Sequence, residues 1–188
     1  MNALTRRPRT LRVAILLCAA VAVVVPLVAG TVGSAGAGSE PPVAPAVQAT
    51  AYPYEIASRV GPWGFPTRHS TDYVAWRLYE RDVEFYKGMR GPNGQSGEFG
   101  DAGTWAANAV KIGLKVDQSP KPGSIAHWTA GEQGARGTGH VAFVEQVNAD
   151  GTVLLSEFDW SVANGYSMRG QPGSVPVRAP RYIHVTAR

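Results

Sequence analysis

The spacing of apolar positions changes along this chain, and each change marks a different kind of segment. Val13 to Val28 is an unbroken apolar run, preceded by Arg6, Arg7, Arg9 and Arg12 and followed by small residues that include Ala35-Gly36-Ala37. A basic start, an apolar stretch and a small-residue exit predict a secretory signal peptide over residues 1–37. The alternative is an uncleaved anchor, since Val13 to Val32 approaches the ~20 residues that span a bilayer; Pro26 and the small residues favour cleavage. Bulky Leu17 before Cys18 argues against a lipoprotein anchor. Residues 38–51, rich in Gly, Ala and Pro and free of aromatics, read as a linker. The folded domain is expected over residues 52–188.

Inside that domain Tyr52 to Arg68 is loop-like, broken by Pro53, Gly61, Pro62, Gly64 and Pro66. From Ser70 the pattern becomes helical. Tyr73, Val74, Leu78 and the stems of Arg77 and Arg81 fall on one stripe, Ser70 offers an N-cap, and Asp72 suits the first turn. This predicts a helix to about Phe85. Gly88 to Gly103 reads as a Gly-rich surface loop. A second helix is predicted over Thr104 to Ile112, with Trp105 and Ala109 inward and Gly113 as its stop.

Beyond Pro120-Lys121-Pro122-Gly123 the period becomes two. Strands are predicted over Ser124 to Trp128, Val141 to Val147, Thr152 to Trp160 and Arg181 to Thr186, the middle pair joined by a turn at Asn148-Ala149-Asp150-Gly151. Helices followed by an antiparallel meander give an α+β domain.

Composition narrows the setting. The chain has 18 Lys and Arg against 14 Asp and Glu, but the four arginines of the leader are the whole excess; without them 14 cations face 14 acids. A neutral domain gives no bulk electrostatic reason to bind nucleic acid. Cys18 is the one cysteine, so the domain has no disulfide and must rest on its core, for which five Trp, seven Tyr and five Phe provide the material.

The hairpin acts as a ruler for side chains. With a four-residue loop, Val147 faces Thr152 and His140 lies opposite Asp159. With a two-residue turn, His140 lies opposite Ser161. In both registers His140, Glu157 and Asp159 share a face. An acid can then reach the imidazole and fix its tautomer, as the third member of a nucleophile–base–acid triad does. A polar cluster on a solvated sheet face is the bland alternative. His127 and His184 look like strand residues without partners, and His69 is either a second base near Ser70 or a solvated loop histidine. No spacing suggests a zinc site, and Gly97 to Gly103 lacks a calcium-loop pattern, so no cofactor is expected.

Several segments in order carry a resemblance. Ser70-Thr71-Asp72-Tyr73-Val74-Ala75-Trp76, Gly100-Asp101-Ala102 with Trp105, Pro122-Gly123-Ser124-Ile125-Ala126, Gly139-His140-Val141-Ala142-Phe143-Val144-Glu145, Ser156-Glu157-Phe158-Asp159-Trp160 and Arg181-Tyr182-Ile183-His184 together resemble the CHAP family. These are cysteine- and histidine-dependent amidohydrolases and peptidases that cleave bacterial peptidoglycan. The resemblance implies a papain-like fold, with N-terminal helices packed on an antiparallel sheet that bears the histidine. There are three departures. Ser70 stands where the family has its nucleophilic cysteine, Asp159 where it has asparagine, and His69 where it often has Gln or Glu.

The cysteine's absence divides the functional reading. A thiolate can be stored beside an imidazolium, whereas a hydroxyl must lose its proton during attack to an aligned neutral base. In one reading, Ser70, His140, Glu157 and Asp159 form a working site on a secreted, monomeric enzyme that cleaves an amide bond in peptidoglycan. In the other, the chemistry is lost and the domain binds the wall or a partner through Trp63, Trp105, Trp128 or Trp160. A membrane would enter only through an uncleaved leader.

Overall fold

The computed structural model describes residues 51–186; the expected signal segment and nearly all of the linker lie outside them. Helix α1 spans Ser70–Tyr79. A 3-10 turn, Ala102–Thr104, leads directly into α2, Trp105–Lys111. Six antiparallel strands follow: β1 Lys115–Asp117, β2 Ile125–Trp128, β3 His140–Val147, β4 Val153–Phe158, β5 Tyr166–Arg169 and β6 Arg181–His184. They form one sheet in the order β1-β6-β2-β3-β4-β5. This is the expected α+β, papain-like arrangement, with two short strands, β1 and β5, that the sequence pattern did not mark.

Both helices end in the same way. The N–H of Asp82 donates to Tyr79 O and that of Val83 to Leu78 O, while Asp82 takes φ 58°. Gly113 and Leu114 repeat the arrangement on Val110 and Ala109, with Gly113 at φ 83°. These are the paired bonds of a Schellman cap. α1 therefore stops well short of Phe85, because an aspartate fills the left-handed position usually given to glycine. Its N-cap is His69, in extended conformation, and Ser70 is already helical. The cap is therefore not Ser70, as the sequence pattern predicts, but the residue before it.

α1 is also not a one-sided helix. Every residue from Ser70 to Leu78 is buried. Val74, Ala75 and Leu78 join Val141, Phe143, Ile125 and Ile183 of the sheet in the main core, with Phe65, Phe85, Phe99 and Trp105 behind them. Tyr73 and Trp76 pack instead with Tyr52 and Phe158. Met89 and Phe99 are buried as well, so the Gly-rich stretch from Gly88 to Gly103 contributes to the core. The other sheet face carries Ala126, Trp128, Ala142, Val144, Val153, Leu155 and Tyr182.

Beside its loop the β3–β4 hairpin departs from both expected registers. Asn148 N–H donates to Thr152 O, and Gly151 sits at φ 79°, so the loop holds three residues, Ala149-Asp150-Gly151. Next to the loop Val147 faces Val153 and Gln146 faces Leu154; farther along, Val144 faces Leu155 and Phe143 faces Ser156. Glu145 is the extra residue between these two registers, a β-bulge.

Candidate active site

The bulge decides which side chains meet. Had the hairpin kept the register of its loop, His140 would oppose Trp160 and Glu157 would point to the other face. A one-residue shift exchanges the faces. Past Glu145 the pairing of Phe143 with Ser156 puts His140 and Glu157 on one face. His140 is the first residue of β3. Gly139 before it has φ 76°, and a Cβ there would collide with the backbone of Gly103. The strand can start so close to the 3-10 turn because that residue is glycine.

His140 Nε2 lies 2.8 Å from Glu157 Oε2, and Glu157 is fully buried. An ionised carboxylate only accepts hydrogen bonds, so this contact calls for a proton on Nε2; in the neutral ring Nδ1 then keeps its lone pair. The ring lies against Trp160, centroid to centroid 4.7 Å, and near Trp128 at 5.9 Å. On its other side Glu157 receives Arg169 Nε at 2.6 Å and Nη2 at 2.9 Å.

Asp159 does not join this pair. It adopts φ 62°, and its Oδ1 accepts from Asn164 N–H and lies 3.3 Å from Arg136 Nη1. Its Oδ2 is 3.8 Å from His69 Nδ1. His69, whose Nε2 is 3.1 Å from Ser58 Oγ, thereby ties the start of α1 to the end of β4. Ser70 is the next residue, 8% exposed. Nucleophile candidate and imidazole thus lie at the same end of the sheet, since β4 runs antiparallel to β3 and ends, just before Asp159, beside the end of β3 at which His140 begins. The imidazole's one bond to a side chain runs to Glu157, and among the described residues none joins it to Ser70.

Asp72 shows the cost of this helix start. It is completely buried; Tyr52 OH donates to Oδ2 at 2.6 Å, while Oδ1 has no partner. Burial pushes its carboxyl up to about 6, against the opposing effect of the Tyr52 hydrogen bond.

The remaining histidines have partners, contrary to expectation. Arg181 Nη1 is 3.3 Å from His127 Nδ1, and His184 Nε2 is 2.9 Å from Asp117 Oδ1. Burial pushes the His127 imidazole down to about 4, with Arg181 adding to the effect. Among the tryptophans, Trp105 and Trp128 are fully buried, Trp105 donating to Gly100 O and Trp128 to Gln133 Oε1. Half-buried Trp63 and Trp160 keep accessible surface. Among the described residues no three His, Cys, Asp or Glu side chains gather as a metal site. The sequence reading missed Arg169 and Arg136; alternation along Tyr166–Arg169 carried the signal for the first, once β5 was recognised as a strand.

The chain is similar to known proteins. The model of the CHAP domain matches residues 60–159. N-acetylmuramoyl-L-alanine amidase sle1 of Staphylococcus epidermidis is 36% identical over 109 residues, 58% of this chain and 30% of that protein. The Staphylococcus aureus protein of that name is 34% identical over 122 residues, 65% of this chain and 31% of its own length. A crystal structure of N-acetylmuramoyl-L-alanine amidase from Staphylococcus aureus superposes with a TM-score of 0.52 at 29% identity, covering 64% of this chain and 31% of that one. The chain therefore spans about a third of the length of these relatives. With more than half of its 188 residues matched, it belongs to the CHAP domain family.

Proposed function

We propose that this domain is an exported cell-wall amidohydrolase in which Ser70 is the nucleophile, His140 the base and Glu157 the acid that orients it. The observation that carries this is the 2.8 Å bond between His140 Nε2 and a fully buried Glu157, which leaves Nδ1 as the free base. A neutral base with a fixed tautomer is what a hydroxyl nucleophile requires. Ser70 Oγ would attack the carbonyl carbon of an amide in peptidoglycan while Nδ1 takes its proton. The N–H groups of the first turn of α1, which have no partner inside the helix, would stabilise the oxyanion. His140 would return the proton to the leaving amine, and water would then hydrolyse the acyl-serine ester. Asp159 would act at the rim through His69 and Arg136 and not as the orienting acid. The relatives' names point to the muramoyl-alanine bond as the first substrate to try.

The second reading, a binding module that has lost its chemistry, draws on the serine at position 70 and on the missing Ser70–His140 hydrogen bond. A free site often has loose catalytic bonds that tighten only on substrate, so this observation alone does not decide. Dye release from purified cell walls does. The amidohydrolase reading expects release by the wild-type domain and a fall of about 1,000-fold or more in Ser70→Ala and His140→Ala. No release by the wild type, with walls still bound, establishes the binding module.

A further inference from the structure

We propose that Arg169 is a positioning residue of the His140 site: held between two indoles, it keeps Glu157 a carboxylate aimed at His140 Nε2, so that Nδ1 remains the basic nitrogen. This rests on the reading of His140 as the base. Glu157 is fully enclosed, and a buried carboxylate is strongly disfavoured unless a countercharge and hydrogen bonds accompany it. Two groups could supply the charge. One is His140, as an imidazolium, which would no longer be a base. The other is Arg169, whose guanidinium is always charged and whose fork matches a carboxylate. Arg169 makes both prongs, Nε to Oε1 and Nη2 to Oε2. His140 then needs to give Oε2 a single hydrogen bond and no charge.

The placement follows from the sheet. On β5, Ser167 faces Glu157 and Arg169 faces Leu155, so Arg169 is the diagonal neighbour of Glu157 on one face. Its guanidinium carbon lies 3.7 Å from the Trp160 ring centroid and 4.7 Å from that of Trp128. The same Trp160 covers His140. One indole therefore bounds both cationic candidates, and the cation–π contact favours the charge on Arg169. Tyr166 on β5 also feels the Glu157 charge, while Asp159, Arg136 and His69 interact with each other at the rim.

Ring-nitrogen NMR of His140 in the full domain tests this without reference to turnover, with His140→Gln used to assign its signals. The wild type should show the Nε2–H tautomer at pH 7.5. In Arg169→Gln the buried carboxylate loses its permanent partner and recruits a proton through His140, and the imidazolium fraction at pH 7.5 should rise about tenfold. An unchanged tautomer and charge in folded Arg169→Gln would overturn the proposal. If that variant does not fold, Arg169→Lys decides: it keeps the charge but not the fork, and exchange of the Nε2 proton with water should accelerate about tenfold or more. Unchanged exchange overturns it equally. A wild type that shows the tautomer but does not degrade walls refutes the catalytic reading and leaves the role of Arg169 intact.

Discussion

Arg77 of α1 grips Glu145 at the bulge of β3: Nη2 lies 2.9 Å from both carboxylate oxygens and Nε 3.1 Å from one. Ser156 Oγ donates to the same carboxylate, and Arg81 reaches it at 3.3 Å. The residue that resets the register of the β3–β4 hairpin is thus pinned by the helix that starts at Ser70. Packing and site geometry are coupled here, because the bulge is what puts His140 and Glu157 on one face.

Breaking this grip should harm both stability and the site. Arg77→Met leaves the Glu145 carboxylate, 4% exposed, without its main partner. Loss of one member of a buried ion pair costs about 3–5 kcal/mol, and Arg81 and Ser156 should hold the effect to the lower end. Denaturant unfolding measures it. Deleting Glu145 should have a different signature: the hairpin closes in one register, His140 turns away from Glu157, and the tautomer signal of His140 disappears.

How much of this the sequence revealed depends on the kind of signal. Period two, fixed by the backbone, suggested that His140 and Glu157 share a face, but the outcome rested equally on the parity of the loop and on the bulge. The bulge was not legible, because an extra residue inside His140–Val147 leaves no mark on an apolar run that is buried on both faces. The shared face of His140 and Glu157 came from two errors that cancelled: the loop has three residues where four or two were expected, and Glu145 adds one to the strand. The end of α1 escaped because Asp82 takes a conformation in which glycine is expected. β5 escaped because Tyr166–Arg169 is only four residues long, too short for its alternation to stand out between loops.

Asp72 gives a pH prediction. Its folded carboxyl titrates at about 6, above its unfolded value of 3.8. Between those values the fold holds a proton that the unfolded chain has released, so stability falls as pH rises through the window, and the full penalty applies above it. Asp72→Asn removes the penalty and can still accept from Tyr52 OH. Its melting temperature relative to wild type should therefore be higher at pH 7.5 than at pH 4, by a few degrees. An equal offset at both values would place the burden elsewhere.

Trp105 anchors the core behind α1. Its ring lies 5.1 Å from Phe65, 4.9 Å from Phe85 and 5.7 Å from Phe99, and it is fully buried. Trp105→Ala should cost about 3–5 kcal/mol, and Trp105→Phe should cost less while losing the bond to Gly100 O. A Trp63→Ala variant, which empties a half-buried position, should unfold at a denaturant concentration much closer to wild type.

Ser70→Cys separates a working serine site from a silent one. The side chain sits in the first turn of α1, where unpaired N–H groups favour negative charge. A thiol there has a helix N-terminus to stabilise its thiolate, and an imidazole to take its proton if Nδ1 of His140 is within reach. Iodoacetamide should then label the variant at pH 7 at least about tenfold faster than a free thiol, and His140→Ala in the same background should remove most of that gain. In wild-type protein a fluorophosphonate should modify Ser70 if the hydroxyl is already activated, and wall degradation should accompany it. Asp72 opposes the thiolate from two residues away, so the labelling advantage should be larger at pH 5 than at pH 7.5, because its carboxyl is mostly protonated below about 6. Labelling at the rate of a free thiol at both pH values, together with an inert wild type, would mean that His140 is not poised over position 70, and the domain would then act by binding alone.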